Sequence, residues 1–349
     1  MTGPRLLDDW QDAPTMWDAV RFAVDREQVR GGFILTGSSV PSSDDVKHTG
    51  TGRFSRVTMR PMSMFESGES TGAVSLARLG DSERIVGAAD LQLRDIVRLL
   101  VRGGWPSSVT DDDGAAQRAR DYVGSVIESD ISRVDGIEKN PRRVRLLMRS
   151  LARNESTEAA MTTLRADMAS DEGRISTNTI AQYLTALRRL FIIDDQEAWA
   201  SAVRSKTAIR QSPVRRYCDP SLPAALLGLT PEKLLVDFNT FGLLFESLVV
   251  RDLRTYAAAS GATVWRYRDA RDLECDAIIE WPDGRWGAIE IKLESGRADE
   301  ASANVARIGS LVRSQHGGEA SFLAVITGAG FARRRADGVL TVPIGLLGP

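Results

Sequence analysis

Hydrophobic positions at the start of this chain recur in the order strand, helix, strand. An apolar pair, Leu6-Leu7, runs into two acids, and helical spacing follows from about Pro14 to Arg30. The apolar run Phe33-Ile34-Leu35 then predicts a short buried strand that ends in polar residues. This order predicts part of a parallel α/β sheet, which normally needs more strands than this segment supplies.

The middle of the chain repeats apolar residues at helical spacing. Packing helices are expected from Leu91 to Arg102 and from Ala115 to Ser132. Three more helices are expected after Asn140-Pro141, which suits a helix start, and they should run from Arg142 to Arg153, from Met161 to Met168 and onward from a cap at Ser176. A strand should begin near Phe191. Three helices and a strand pair predict a winged helix-turn-helix, and a basic connector from Arg204 to Tyr217 follows it.

The last third of the chain predicts a helix, three strands, a second helix and further strands. Its first helix, from about Phe241 to Ala259, is apolar almost all round and should be largely buried. Glu246 lies on that helix, where a carboxylate is costly unless it is paired, hydrogen-bonded or bound to metal. The strands should include residues 262–268, 321–327 and 339–342, and the second helix residues 299–316.

Between those helices, two β-rich runs flank Pro282-Asp283-Gly284, which suits a three-residue hairpin loop. In that register Asp276 lies opposite Glu290 and Glu274 opposite Lys292, with all four side chains on one face. Carboxylates so close repel each other, and a proton or a hard cation such as Mg²⁺ or Mn²⁺ would relieve them. The alternative is a solvated hairpin with a salt bridge between Glu274 and Lys292.

Composition indicates the class of protein but not a particular activity. The chain has 349 residues, 42% hydrophobic and 26% charged, with a net charge of −2, as in an ordinary multidomain globular protein. The residues Cys218 and Cys275 form no disulfide or zinc pattern and fit a reducing cytoplasm, and His48 and His316 are isolated. No signal peptide or membrane-length apolar run is seen, so we expect a cytoplasmic protein with no membrane partner.

Several segments resemble a bacterial AAA-type ATPase group whose ATPase region precedes a C-terminal domain of unknown function. Leu6–Gln11 looks like its Walker B segment and Phe33–Ser38 like its sensor strand, and further similar segments are His48–Arg53, Arg60–Glu66, Gly103–Pro106 and Cys218–Leu222. The resemblance implies that Asp8 holds Mg²⁺, that Asp9 stands at the catalytic acid, that Thr36 senses the γ-phosphate and that Arg53 contacts phosphate.

One part of that ATPase pattern is missing. The Walker A loop, whose backbone and lysine cradle the phosphates, is found nowhere in the sequence. We therefore expect no autonomous ATPase activity, and ATP binding only if a preceding segment were restored. A chain that starts too late, through a truncated gene model or a degenerate gene, is the expected explanation.

The predicted winged helix is a candidate nucleic-acid surface. Its third helix should expose five side chains able to contact bases and phosphates, namely Asn178, Thr179, Gln182, Thr185 and Arg188. Residues 141–216 include 14 basic and 8 acidic residues, a local net charge of +6. Against this stand the acids Asp194, Asp195 and Glu197 in the expected wing, and winged helices also serve as protein-packing units.

The C-terminal order of elements resembles the PD-(D/E)XK nuclease fold. The resemblance implies metal ligands at Glu246, Asp276 and Glu290, and a catalytic set of Asp276, Glu290 and Lys292. In such a site the ion activates water and Lys292 positions it. The alternative is a scaffold that keeps these residues and cleaves nothing.

The sequence thus predicts an α/β protein in four parts. These are a partial ATPase core at 1–80, a helical lid at 81–138, a winged-helix-like segment at 139–216 and a nuclease-like αβββαβ domain at 217–349. The first hypothesis is a DNA-associated protein with a nuclease-like site. The second is a non-catalytic module that binds DNA, a protein partner or a second copy of itself.

Overall fold

A computed structural model of the chain describes residues 4–28, 30–39, 50–81, 85–169, 175–200, 211–269, 271–316 and 318–349. At its start, β1 (Arg5–Leu7), α1 (Thr15–Glu27) and β2 (Phe33–Leu35) confirm the predicted strand, helix and strand. Strands β1 and β2 pair in parallel and form a two-stranded sheet. The expectation that Phe33–Leu35 is buried is wrong, because this small sheet leaves apolar side chains uncovered: Leu6 is 62% and Ile34 50% exposed.

Two short strands that follow pair with the far end of the chain. Strand β3 (Val74–Ser75) pairs with β13 (Leu347–Gly348), and β4 (Val86–Ala88) pairs with β11 (Phe331–Arg334). The segment that begins near residue 60 therefore packs as part of the C-terminal body, across the predicted boundary at residue 80.

The predicted lid helices occur as α2 (Leu93–Arg102), α3 (Pro106–Thr110) and α4 (Ala115–Ser125). Helix α4 ends earlier than expected, because a π-helical turn at Val126–Asp130 separates it from α5 (Ile131–Arg133). Apolar residues of this stretch share a second hydrophobic core with the three helices that follow.

Those three helices are α6 (Pro141–Arg153), α7 (Met161–Asp167) and α8 (Thr177–Arg189). The predicted caps are confirmed, since Asn140 accepts a hydrogen bond from Arg143 N and Ser176 accepts one from Thr179 N. An antiparallel pair, β5 (Ile193–Gln196) and β6 (Val214–Tyr217), follows. The expectation of a connector from Arg204 to Tyr217 is wrong at its end, because β6 is a buried strand. Residues 204–210 of the expected connector lie outside the described part of the chain, as does His48.

The C-terminal body is built on a mixed sheet of seven strands. Its remaining elements are α9 (Ser221–Leu227), α10 (Pro231–Val236), α11 (Phe238–Ala259), β7 (Thr263–Arg268), β8 (Glu274–Glu280), β9 (Trp286–Lys292), α12 (Ala298–His316), β10 (Phe322–Thr327) and β12 (Leu340–Pro343). The strand order of the sheet is β4-β11-β12-β10-β9-β8-β7.

The two long helices cover opposite faces of that sheet. Ala277 and Ile289 share a hydrophobic core with α11, whereas their neighbours Ile278 and Ala288 share a core with α12. Side chains alternate along strands, so each strand contributes to both cores. Among the described residues no helix is long and apolar enough to cross a membrane.

Candidate functional site

The β8–β9 hairpin has the predicted turn and register. Trp281 N donates to Arg285 O at 2.9 Å, and Gly284, with φ 85°, closes the three-residue loop. Ala277 faces Ile289 and Glu280 faces Trp286. The next position along the hairpin brings Asp276 beside Glu290, as expected from the turn chemistry.

Lys292 holds the two carboxylates together. Its Nζ lies 2.8 Å from Oε2 of Glu290 and 3.7 Å from Oδ2 of Asp276. Ile291 N donates to Asp276 Oδ2 at 2.7 Å, and Asn304 Nδ2 of α12 donates to Glu290 Oε1 at 2.7 Å. The alternative hairpin salt bridge is wrong, because Glu274 pairs with Arg268 at 3.4 Å instead of with Lys292.

Glu246 reaches the same region from α11, but a different cation holds it. Arg216 Nη2 of β6 donates to Glu246 Oε1 at 2.6 Å, and Arg216 Nε donates to Gln196 Oε1 at 2.8 Å. Gln196 Nε2 in turn donates to Asp276 O at 2.8 Å. The β5–β6 pair therefore supplies side chains that link the middle of the chain to this group of charges, which we call the acidic centre (Glu246, Asp276, Glu290 and Lys292).

Burial dominates the electrostatics of this centre. Burial, followed by the Asp276 charge, raises the pKa of Glu246 from 4.5 to about 7 and that of Glu290 from 4.5 to about 8. Burial lowers the pKa of Lys292, but Asp276 and Glu290 outweigh it and hold that pKa above its ordinary value. The centre is a closely coupled set of charges, most of it shielded from water.

The predicted Mg²⁺ or Mn²⁺ would need several of these carboxylates to converge on one ion. The donors are oxygens, which suit such ions, yet no three Asp, Glu, His or Cys side chains of the described residues are grouped to hold one metal. Asn304 of α12 contacts Glu290, whereas Glu246 comes from α11, the helix on the other face of the sheet. Lys292 contacts both Asp276 and Glu290, and Arg216 pairs with Glu246.

The residues predicted to bind ATP are only partly brought together. The Thr36 hydroxyl donates to the Asp8 carboxylate at the ends of the parallel strands β1 and β2. Asp9 adopts φ 48° and accepts from Gln11 Nε2 at 3.0 Å. Arg53 pairs with Asp25 of α1 at 2.9 Å, and none of its described contacts involves Asp8 or Thr36.

Three of the five predicted nucleic-acid contacts lie on an exposed face of α8. Asn178, Gln182 and Thr185 are exposed. Thr179 is half-buried and bonded to Ser176, so it serves the helix cap. Arg188 is also half-buried, and its Nη2 lies 2.6 Å from Asp195 Oδ2, so its charge is already neutralised.

The sequence did not predict a buried ion cluster on α11 and the segment before it, which we call the Arg251 cluster (Asp219, Arg251 and Asp252). Arg251 Nη1 lies 2.7 Å from Asp219 Oδ2, and Arg251 Nη2 lies 2.7 Å from Asp252 Oδ1. Both aspartates are fully buried. The available signal was the occurrence of charges on a helix whose apolar pattern predicted burial all round.

Three of the segments that resemble the ATPase group meet at the Arg251 cluster. Asp252 Oδ2 accepts from Met64 N at 2.9 Å, and Asp219 Oδ2 accepts from Gly104 N at 2.9 Å. Gly104 O accepts from Met62 N at 2.7 Å, and a Cβ at position 104 would lie 2.2 Å from Met62 O. Residues of 60–66, 103–106 and 218–222 thus meet as one packing unit.

Comparison with known proteins adds two families and two relatives. A model described as "Domain of unknown function (DUF8612)" matches residues 93–233, and one described as "Domain of unknown function (DUF4143)" matches residues 241–347. The chain is 24% identical over 299 residues to two uncharacterized proteins, Mb2031c of Mycobacterium bovis and Rv2008c of Mycobacterium tuberculosis. These alignments cover 84% of this chain and 60% of each relative, so the chain spans about three fifths of their length. No solved structure matches.

Proposed function

We propose that this chain is a DNA-associated module of an ATPase-family protein, with a nuclease-like C-terminal body whose acidic centre is structural rather than hydrolytic. The structural role is supported by one observation, the pairing of the carboxylates of that centre with cations of the protein. Lys292 contacts Asp276 and Glu290, and Arg216 contacts Glu246. A hydrolytic metal site needs donors that are free to bind an ion and water, and here they are engaged by the protein.

Such a balance also explains why these charges are tolerated inside the protein. A buried carboxylate is costly unless a cation and hydrogen-bond donors compensate it. Asp276 and Glu290 are each bonded to a second donor, Ile291 N and Asn304 Nδ2, besides Lys292. The proposed role is to join β8, β9, α11 and the β5–β6 pair.

Association with DNA is supported by the middle of the chain. The exposed side of α8 carries amide and hydroxyl groups, which hydrogen-bond to bases and phosphates. The surrounding residues 141–216 have a net charge of +6, in a chain whose total is −2. The ATPase affiliation rests on the resemblance and on the contact between Asp8 and Thr36.

A second candidate function is metal-dependent DNA cleavage. It is favoured by the arrival of Glu246, Asp276, Glu290 and Lys292 in one region from the expected elements. The raised pKa values of Glu246 and Glu290 also indicate carboxylates that the chain's own cations compensate incompletely.

Incubation of supercoiled and linear DNA with Mg²⁺ or Mn²⁺ tests both functions. We expect no cleavage by the unmodified protein, and no difference for Asp276→Ala or Lys292→Ala. A matched control is Glu274→Ala, an exposed acid on the same strand. Cleavage that is abolished by the first two substitutions and retained in the control would overturn the structural role and establish the second candidate.

A further inference from the structure

Helix α6 presents a row of arginines to solvent, which we call the α6 arginine row (Arg142, Arg145, Arg149 and Arg153). All four are exposed and recur at intervals of three or four residues, so they lie on one side of the helix. The opposite side is apolar and buried in the second core, through Val144, Leu147, Met148 and Leu151. The row is therefore held on a helix whose position is set by packing.

Arg145, in the middle of this row, pairs with an acid that is itself exposed. Helix α6 contains five arginines and no acid. Arg145 lies 3.3 Å from Glu128, with both side chains more than half exposed, and Arg153 lies 2.9 Å from Asp167. The exposed Arg145–Glu128 pair is of a kind that contributes about 0–1 kcal/mol, so a phosphate can replace Glu128 at little cost, whereas Asp167, which is 17% exposed, holds Arg153 more firmly.

The exposed side of helix α8 lacks the positive charge that α6 carries. Its exposed side chains Asn178, Gln182 and Thr185 are neutral, and its half-buried Arg188 is bound to Asp195, whose side chain is only 14% exposed. Polar groups without charge can contact bases but do not supply the phosphate attraction that dominates affinity for DNA. That attraction has to come from another element.

We propose that the α6 arginine row binds the phosphates of double-stranded DNA, an inference that rests on the proposed association with DNA. The row spans 11 residue steps, or about 16 Å at 1.5 Å per residue, which covers several phosphates of one strand. A protein partner fits less well, because the core of a protein interface is apolar. None of the exposed large hydrophobic side chains of the described residues lies on α6.

The test measures the affinity for a fluorescent DNA duplex against salt concentration, for the full chain and for Arg145→Gln/Arg149→Gln. Each lost phosphate contact reduces the slope of log K against log salt by about 0.9. We expect weaker binding of the double variant and a slope reduced by about 1.8. The matched control is Arg94→Gln/Arg98→Gln, which removes two exposed arginines from α2 and should bind like the unmodified chain.

Thermal denaturation of each variant shows that it is folded, and glutamine preserves helix propensity. Failure of the unmodified chain to bind the duplex at low salt would overturn the association with DNA and this surface with it. Binding that the Arg145/Arg149 variant retains, with an unchanged slope, would overturn only the α6 surface. Equal binding of poly-glutamate and duplex would overturn DNA as the partner class.

Discussion

At the scale of single residues, Glu155 illustrates how the fold treats a carboxylate that is removed from water. Its side chain accepts hydrogen bonds from Ser247 Oγ at 2.7 Å and from Tyr217 N at 3.1 Å. Burial nevertheless outweighs these donors and raises its pKa from 4.5 to about 7. Proton binding at this position is therefore linked to folding.

The linkage predicts that stability falls as the pH rises. Between pH 4.5 and about 7 the folded chain keeps a proton on Glu155 that the unfolded chain has lost. This contribution is fully present below the unfolded pKa and is lost as the pH rises through the folded pKa. Glu246 and Glu290, with pKa values of about 7 and about 8, act in the same direction. Urea unfolding at several pH values should show the free energy of unfolding decreasing from about pH 5 to about pH 8.

A substitution at Glu155 separates its contribution to the pH dependence of stability from the contributions of Glu246 and Glu290. Glu155→Gln cannot ionise, so its free energy of unfolding should depend less steeply on pH than that of the unmodified chain. Glu128→Gln removes an acid whose side chain is 61% exposed and should keep the original slope. If Glu155→Gln left the pH dependence of the free energy of unfolding unchanged, that result would contradict the raised pKa of Glu155.

At the scale of elements, the β8–β9 hairpin depends on its turn. Gly284 adopts φ 85°, and no atom lies within 4 Å of where its Cβ would be. Any cost of a side chain there arises from the left-handed backbone rather than from a clash. The same turn sets the register, and a shift of one residue would move Asp276 to the other face of the sheet.

We therefore expect Gly284→Ala to lower the free energy of unfolding by about 1–2 kcal/mol in chemical denaturation. The control is Gly124→Ala in α4, where the added Cβ also meets nothing and the helical backbone suits alanine. That change should be neutral or stabilising by up to about 1 kcal/mol. Equal effects of the two substitutions would show that backbone conformation is not what Gly284 provides.

At the scale of the whole molecule, α11 connects the parts of the chain. One side of it packs in the largest hydrophobic core, while its polar residues contact the middle segment and the residues near 62–64. Arg254 donates to Asp194 O and Asp195 O of β5, and Ser247 donates to Glu155. The helix is thus covered by both apolar and polar partners, which explains why it is buried all round.

The Arg251 cluster should be a main determinant of this connection. Arg251→Met would leave two buried aspartates without their cation, and such a loss costs about 3–5 kcal/mol. Arg98→Met removes an exposed arginine that lies 3.6 Å from Asp112, and its cost should stay below about 1 kcal/mol. Chemical denaturation of both variants measures the difference, and comparable losses would contradict a special role for the cluster.

Sequence patterns determined much of the local structure. The caps at Asn140 and Ser176, the loop closed by Gly284 and the parallel strands at the start all depend on neighbours in the chain, so short-range rules predict them. The contact between Asp8 and Thr36 also follows, because parallel strands end at the same edge of a sheet. The early end of α4 and the buried strand β6 escaped prediction, since packing overrides weak local preference there.

The sequence by itself determined which residues carry charge, where most of the long helices and strands form, and that Asp276, Glu290 and Lys292 share one face of a hairpin. Only the tertiary structure decided what those charges contact. Arg216 reaches Glu246 across 30 positions, and Arg251 reaches Asp219 across 32. Such pairs depend on how elements pack in three dimensions, which no local periodicity encodes. The acidic centre consequently has the predicted residues, but its carboxylates are paired with cations of the protein.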